Sequence, residues 1–190
     1  MRFYIVLQRG ENMSERIKMF LGKYRTQIIT IALMIIFGTL MHFVTENIPN
    51  PIIKNVVGSV FPINESSWEH MKMLWWPFLI AGIILSSVKK DRGYFGGFVI
   101  AGFLSILLII SLFAIYQSFT INTVLFIDII IFSITMILCG LLAFSLAKKD
   151  WVKKGFVAFI VIAAIITAAL VVLTFVHGKG YLFLDDKGLK

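Results

Sequence analysis

The sequence is poor in cysteine and in the features of a cleaved secretory signal. Its one cysteine, Cys139, lies inside an apolar run, so no disulfide framework can form and the cysteine content indicates no redox compartment. The segment before the first long apolar run, residues 1–27, is polar and basic and has no small-residue cleavage site. We therefore expect no cleaved signal peptide, whether translation starts at Met1 or at Met13.

Apolar residues, in contrast, are in excess. They make up 59% of the 190 residues, and the mean hydropathy is +0.92. An ordinary globular chain is only about 45–50% apolar. The excess predicts a surface that faces lipid, and hence an integral membrane protein with the lipid bilayer as its first partner.

Five apolar segments are long enough to cross a bilayer as helices. A hydrocarbon core of about 30 Å needs about 20 mostly apolar residues, and a helix satisfies its own backbone groups there. The predicted spans are residues 28–44, 68–88, 94–116, 124–147 and 155–176, and the first is short unless it extends into its polar flanks. The predicted fold class is therefore all-α, an integral membrane bundle of five transmembrane helices.

The positions of Lys and Arg predict the orientation of this bundle. They gather before the first span, between the second and third spans, and between the fourth and fifth. The positive-inside rule then places the N-terminus in the cytoplasm and the C-terminus outside the cell membrane. Residues 1–27 become a basic cytoplasmic segment, residues 28–177 the transmembrane domain and residues 178–190 an external tail. Because topology accounts for the net charge of +8, we expect no nucleic-acid partner.

Small residues predict contacts between helices. Gly93 and Gly97, followed by Gly102, form a small-residue face in the third span, and Ala164 and Ala168 form one in the fifth. Small residues let helix backbones approach closely in a membrane. We expect both faces to pack within the chain and not against a second copy.

With this topology, the ionisable residues of the spans gather at the outer face. A charged group in a membrane is costly and by default indicates a functional site. The inner halves of the spans hold no comparable set. The predicted outward-facing polar pocket comprises His42, Glu46, Asn64, Glu65, Trp68, Glu69, His70, Lys72, Asp128 and His177.

Two interpretations compete for the segment FPINESSWEHMKMLWWP, residues 61–77. In the functional one, Lys72 turns inward and pairs with Asp128, directly or through Glu69. In the structural one, Ser66 and Glu69 form a capping box at the start of a helix. The aromatic residues nearby are predicted to belong to an interfacial belt, and they are Trp68, Trp75, Trp76 and Tyr116.

The link between the first two spans, residues 45–67, is apolar for a loop exposed to water. Pro49 and Pro51 interrupt any helix that continues from the first span. Residues 51–61 are predicted to form a short amphipathic or re-entrant segment. It would either cover the polar pocket as a lid or rest on the lipid headgroups.

The phrase NESSWEHMK, residues 64–72, preceded by Phe61 and Pro62, carries a family resemblance. It resembles a family of small bacterial polytopic membrane proteins known only as a domain of unknown function. Its members carry F-P-x-N-E-S-x-W-E-H-x-K before the second span and a histidine near the end of the first, here His42. The resemblance implies the same topology and a motif that acts as a unit, but it supplies no activity, substrate or cofactor.

The first predicted function is a binding site for a small polar ligand, a lipid headgroup or a metal ion. Histidine and carboxylate are ligands of zinc and similar metals, although the zinc motif HExxH is absent. The same residue types serve general acid–base catalysis, which keeps an enzyme among the alternatives. The candidate metal ligands are His42, Glu69, His70 and His177.

Two other function classes stay open. Asp128 and Lys72 within the membrane would suit a small-solute or proton-coupled transporter subunit, although no internal repeat suggests alternating access. Alternatively, the polar residues form a structural network in an accessory or sensor subunit, whose partner would be another membrane protein.

Overall fold

The structure, a computed structural model, describes residues 13–45, 48–62, 67–119 and 125–175. This part of the chain is almost entirely helical and contains no strand, as predicted. Its helices are α1 (Met13–Val44), α2 (Pro51–Gly58), α3 (Ser67–Lys89), α4 (Gly93–Phe119), α5 (Leu125–Leu146), α6 (Asp150–Lys154) and α7 (Phe156–Phe175).

Five of these helices are long and apolar enough to cross a membrane, which confirms the predicted bundle. Their apolar stretches are Leu21–Val44, Trp68–Lys89, Gly93–Tyr116, Phe126–Leu146 and Phe156–Phe175. The first does extend into its polar flank, because the helix continues through Lys23 and Arg25. Both residues are good helix formers, so they carry the helix into the basic segment without a break.

The bundle is built around α4, which packs against α3 on one side and α5 on the other. Helix α1 contacts α3 and α5, while α7 lies at the edge against α4 and α3. The core consists mainly of large side chains from α3, α4 and α5, joined by Met34 and Met41 of α1 and by Phe159 and Leu170 of α7. Among those with no or almost no exposure are Trp75, Phe78, Phe98 and Met136.

Glycines of α4 allow its close approach to the neighbouring helices. A Cβ on Gly97 would lie 2.6 Å from the carbonyl oxygen of Ala143 in α5 and 2.8 Å from the backbone nitrogen of Ala147, directly after α5. A Cβ on Gly102 would lie 2.9 Å from the Cβ of Phe78 in α3. The predicted packing of this face within the chain is therefore confirmed.

The corresponding prediction for α7 is wrong. Ala164 and Ala168 are exposed and line an open apolar groove of about 560 Å³ beside Leu79 of α3. Because α7 lies at the edge of the bundle, only one of its faces meets other helices of the described residues. That face carries the buried residues Phe159, Ala163, Leu170 and Thr174.

At the end of the bundle where α3 ends and α4 begins, Asp91 contacts both the start of α4 and the basic helix α6. Its Oδ1 accepts a hydrogen bond of 2.9 Å from the backbone N–H of Gly93, at the start of α4. Its Oδ2 lies 3.0 Å from Lys153 Nζ of α6. The guanidinium of Arg92 lies 5.1 Å from the ring centroid of Phe156. These contacts join the α3–α4 turn to the α5–α7 connection.

We expect Asp91 to make stability depend on pH in the acid range. The hydrogen bond from Gly93, followed by the bond and attraction of Lys153, lowers the pKa of Asp91 below its usual value. A lowered folded-state pKa adds stability above the unfolded value of about 4, and that stability is lost as the pH falls through the folded-state pKa. Asp91→Asn should therefore reduce the loss of stability at acid pH. The thermal unfolding midpoint in detergent, measured between pH 2 and 7, checks this.

Lys153→Met separates the contribution of the Lys153 ion pair from that of the Gly93 hydrogen bond. It removes the ion pair and keeps the hydrogen bond from Gly93, so it should flatten the acid loss less than Asp91→Asn does. An acid slope that stays the same in Asp91→Asn would contradict the prediction.

Candidate functional site

The predicted site residues that the structure describes lie at one end of the bundle. There α1, α4 and α7 end and α3 and α5 begin, and we call it the motif end, because α3 opens with the WEHMK part of the motif. The predicted site residues found there are His42, Trp68, Glu69, His70, Lys72 and Asp128. Four others lie outside the described residues, namely Glu46, Asn64, Glu65 and His177.

A buried ion pair forms the centre of the motif end. Lys72 Nζ lies 2.8 Å from Glu69 Oε2, and the two residues are 0% and 3% exposed. They are three positions apart on α3, a spacing that puts side chains on the same helix face. Within a membrane span the pair neutralises two charges that would each be costly alone.

The Glu69 carboxylate also connects α3 to α7. Its Oε1 lies 3.2 Å from Thr174 Oγ1, at the end of α7. The same hydroxyl lies 2.8 Å from the carbonyl oxygen of Leu170, so its single proton serves one acceptor at a time. The ion pair is thus in contact with the helix at the edge of the bundle.

Lys72 also holds α2 in place. Its Nζ donates a hydrogen bond of 2.7 Å to the carbonyl oxygen of Gly58, the last residue of α2. A cation at this position complements the negative end of a helix, whose last carbonyls have no partner inside the helix. A second bond, from the Thr45 hydroxyl to the Pro62 carbonyl, attaches the chain after α2 to the end of α1.

The direct pair between Lys72 and Asp128 is not formed. The two partners of Lys72 are Glu69 and the Gly58 carbonyl. Asp128 is half-buried near the start of α5, and that helix packs mainly against α4 and α1. Glu69 lies less than one turn away on the same helix, which explains why it is the carboxylate that Lys72 reaches. A link through Glu69 to Asp128 stays a prediction.

Two imidazoles face each other beside this network. The ring centroids of His42 in α1 and His70 in α3 are 5.5 Å apart, with 35° between the ring planes. Both side chains are half-buried. An imidazole can accept or donate a hydrogen bond, bind a metal ion or take up a proton near neutral pH. The packing of α1 on α3 therefore brings together two reactive groups that are 28 positions apart in sequence.

The predicted metal site is not assembled by the described residues. Within ranges 13–45, 48–62, 67–119 and 125–175, no group of three or more His, Cys, Asp or Glu side chains is placed to hold a metal ion. Glu69 binds Lys72, and His177 lies outside these ranges. Of the four predicted ligands, His42 and His70 are the two that the structure shows side by side.

The predicted aromatic belt is wrong for Trp75. This side chain is completely buried, and its Nε1 donates a hydrogen bond of 2.9 Å to Thr167 Oγ1 in α7. Trp76, one position along α3, is partly buried and packs against the core. Trp75 points inward because α3 is enclosed by α1, α4 and α7. It serves as a second polar link between α3 and α7.

Sequence reasoning missed the groups that complete the motif end. Thr45, Thr167 and Thr174 lie in or next to apolar runs without a motif around them, and the Gly58 acceptor is a backbone carbonyl. The one available signal was the position of the threonines, since Thr45 and Thr174 each lie at an end of a predicted span.

The comparisons with known proteins give a family but no activity. No curated protein and no solved structure matches this chain. A family model described as a family of unknown function, DUF6512, matches residues 15–188, a range that includes nearly every described residue. The resemblance to an uncharacterised family is thereby confirmed. The chain belongs to the DUF6512 family of unknown function.

Proposed function

We propose that the motif end binds a small polar ligand, a lipid headgroup or a metal ion, which the imidazoles of His42 and His70 contact. The observation that supports this proposal best is the pairing of the two rings, 5.5 Å apart on different helices. Both residues are only half-buried, which agrees with a ligand reaching them from outside the bundle. In this proposal the motif end opens on the outer side of the cell membrane, as the basic residues at the other end predict.

The Glu69–Lys72 pair acts in this proposal as the support of the site. A buried ion pair is often no more stabilising than apolar residues of the same volume, so stability alone is a weak reason for its presence. Glu69 directly precedes His70, and its contacts hold the first turn of α3 against α7 while Lys72 holds α2. The pair thereby restricts the position of the His70 backbone.

Binding agrees better with the described residues than transport does. A transport route would need polar groups that face a path through the bundle. Ser105 and Thr135 are completely buried in α4 and α5, and each hydroxyl donates to a carbonyl of its own helix, Gly102 and Ile131. The single donor of each hydroxyl is thus used within its own helix.

Ligand binding to the purified protein tests the proposal. The probes are Zn²⁺, inorganic phosphate and short-chain phosphatidylethanolamine, each followed by calorimetry and by the thermal unfolding midpoint in detergent. We expect at least one of them to bind and to raise the midpoint, because a ligand of the folded state stabilises it. His42→Ala and His70→Ala should each weaken binding by about tenfold or more, since a hydrogen bond to a charged group contributes about 1.5–3 kcal/mol.

Leu40→Ala is the matched control, because Leu40 lies two positions before His42 on α1 and is 58% exposed on the apolar surface. It should bind the probe as the unmodified chain does. Absence of binding by all three probes, or binding that both histidine variants retain, would contradict the proposal.

A further inference from the structure

Helix α2 presents an apolar face that no other part of the described chain covers. Ile52, Ile53 and Val56 are 74%, 53% and 68% exposed. At 100° per residue these positions lie on one side of the helix. The Asn50 side chain caps the start of the helix, because it accepts hydrogen bonds from the backbone N–H groups of Ile52 and Ile53.

The opposite side of α2 is attached to the bundle. Gly58 is buried, and its carbonyl oxygen accepts a hydrogen bond from Lys72 Nζ. Pro62 is also buried, and its carbonyl accepts from the Thr45 hydroxyl. Lys54 and Gly58, on the side opposite the apolar face, are half-buried and buried, so the apolar face points away from the bundle.

The position of α2 along the bundle indicates what this face meets. The helix lies between Val44, where α1 ends, and Ser67, where α3 begins, and so at the level where two spans leave the membrane. Its eight residues measure about 12 Å, too short to cross a core of about 30 Å. Phe43 and Val44, at the end of α1, are exposed apolar residues at the same level. The apolar face of α2 thus continues the lipid-facing surface of the spans.

We propose that α2 is an interfacial helix whose Ile52–Ile53–Val56 face binds the bilayer at the boundary between headgroups and acyl chains. The partner is the lipid surface itself, which accepts the apolar face of a helix lying in the membrane plane. The hydrogen bond from Lys72 to Gly58 holds the helix at this depth. The inference does not depend on ligand binding at the motif end.

Depth measurements in vesicles test this inference. Single cysteines are introduced into a Cys139→Ala chain, spin-labelled and reconstituted into phosphatidylcholine–phosphatidylglycerol vesicles. We then measure how accessible each label is to oxygen, which partitions into lipid, and to a water-soluble nickel chelate. Ile53→Cys is the test position. Lys149→Cys, in the exposed α5–α6 turn, calibrates water, and Ile137→Cys, 42% exposed in the middle of α5, calibrates the membrane interior.

The label at residue 53 is expected about 5–10 Å below the headgroups, between the two calibrating positions. Lys54→Cys, on the other side of α2, should report a shallower position or contact with protein. A label at 53 that is as accessible to the nickel chelate as the one at 149 would overturn the inference. A label at 53 that is as deep as the one at 137, or that protein shields from both reagents, would also overturn the inference. If Cys139→Ala unfolds, the same labels are used with Cys139 retained, because that residue is only 4% exposed.

Discussion

Lys72→Met is expected to lower the free energy of unfolding by about 3–5 kcal/mol, the usual cost of removing one member of a buried ion pair. Glu69 would keep its buried position but lose the cation that now lies 2.8 Å from its Oε2. The Gly58 carbonyl at the end of α2 would lose its donor as well. Thermal and denaturant unfolding in detergent, followed by circular dichroism, measure the loss.

A second substitution identifies the carboxylate that Lys72 neutralises. Lys72→Met with Glu69→Gln leaves no uncompensated charge in the pair, so it should recover most of the lost stability. Lys72→Met with Asp128→Asn should recover little, because Asp128 is not a partner of Lys72. Recovery by the Asp128 substitution alone would contradict the geometry and favour the pairing first predicted.

Lys89→Met is the matched control for the charge change. Lys89 is exposed in the last turn of α3, and an exposed substitution away from special features usually changes stability by less than about 0.5 kcal/mol. A loss as large as that of Lys72→Met would show that any lysine-to-methionine change in α3 destabilises the protein.

Gly97→Ala is expected to destabilise the protein by about 1–3 kcal/mol, the usual cost of overpacking. The sign is the informative part, because alanine inside a helix is normally favoured over glycine by about 1 kcal/mol. Here the new Cβ would lie 2.6 Å from the Ala143 carbonyl oxygen and 2.8 Å from the Ala147 nitrogen. Both are backbone atoms, so α4 and α5 must separate to admit the methyl group.

Gly22→Ala, the same substitution at an open position, is expected not to destabilise the protein. Gly22 lies in α1, and, apart from its own stretch of helix, no atom of the described chain comes within 4 Å of where its Cβ would be. The substitution should therefore leave stability unchanged or raise it by up to about 1 kcal/mol. A thermal midpoint that moves in the same direction and by the same amount in both variants would show that close packing against α5 does not restrict residue 97.

The predictable part of the fold is the part that depends on local composition. Each span satisfies its own backbone and places its side chains in lipid, so length and hydropathy are sufficient to identify it. The spans were therefore predicted to within a few residues, apart from the start of the first. Lys23 and Arg25 suggested a boundary there, but charge at the end of a span does not interrupt helical hydrogen bonds.

Which face of each helix packs depends on neighbours far away in the sequence. In α7 the alanines at 164 and 168 were expected to pack, whereas Ala163 is the buried one. One position along a helix is a rotation of about 100°, enough to exchange a packed face for an exposed one. The hydropathy of α7 is nearly the same on all sides, so nothing in the sequence selects the face.

The sequence by itself determined that this protein has five apolar helices and that its polar motif lies at one end of them, because both follow from composition and from the alternation of spans. Only the tertiary structure decided the partners within that end. It paired Lys72 with Glu69 and not directly with Asp128, brought His42 to His70, and placed Gly58 and Thr174 in contact with the ion pair. Those contacts depend on how α1, α2 and α7 pack around α3, and packing between distant segments leaves no periodic signal in the chain.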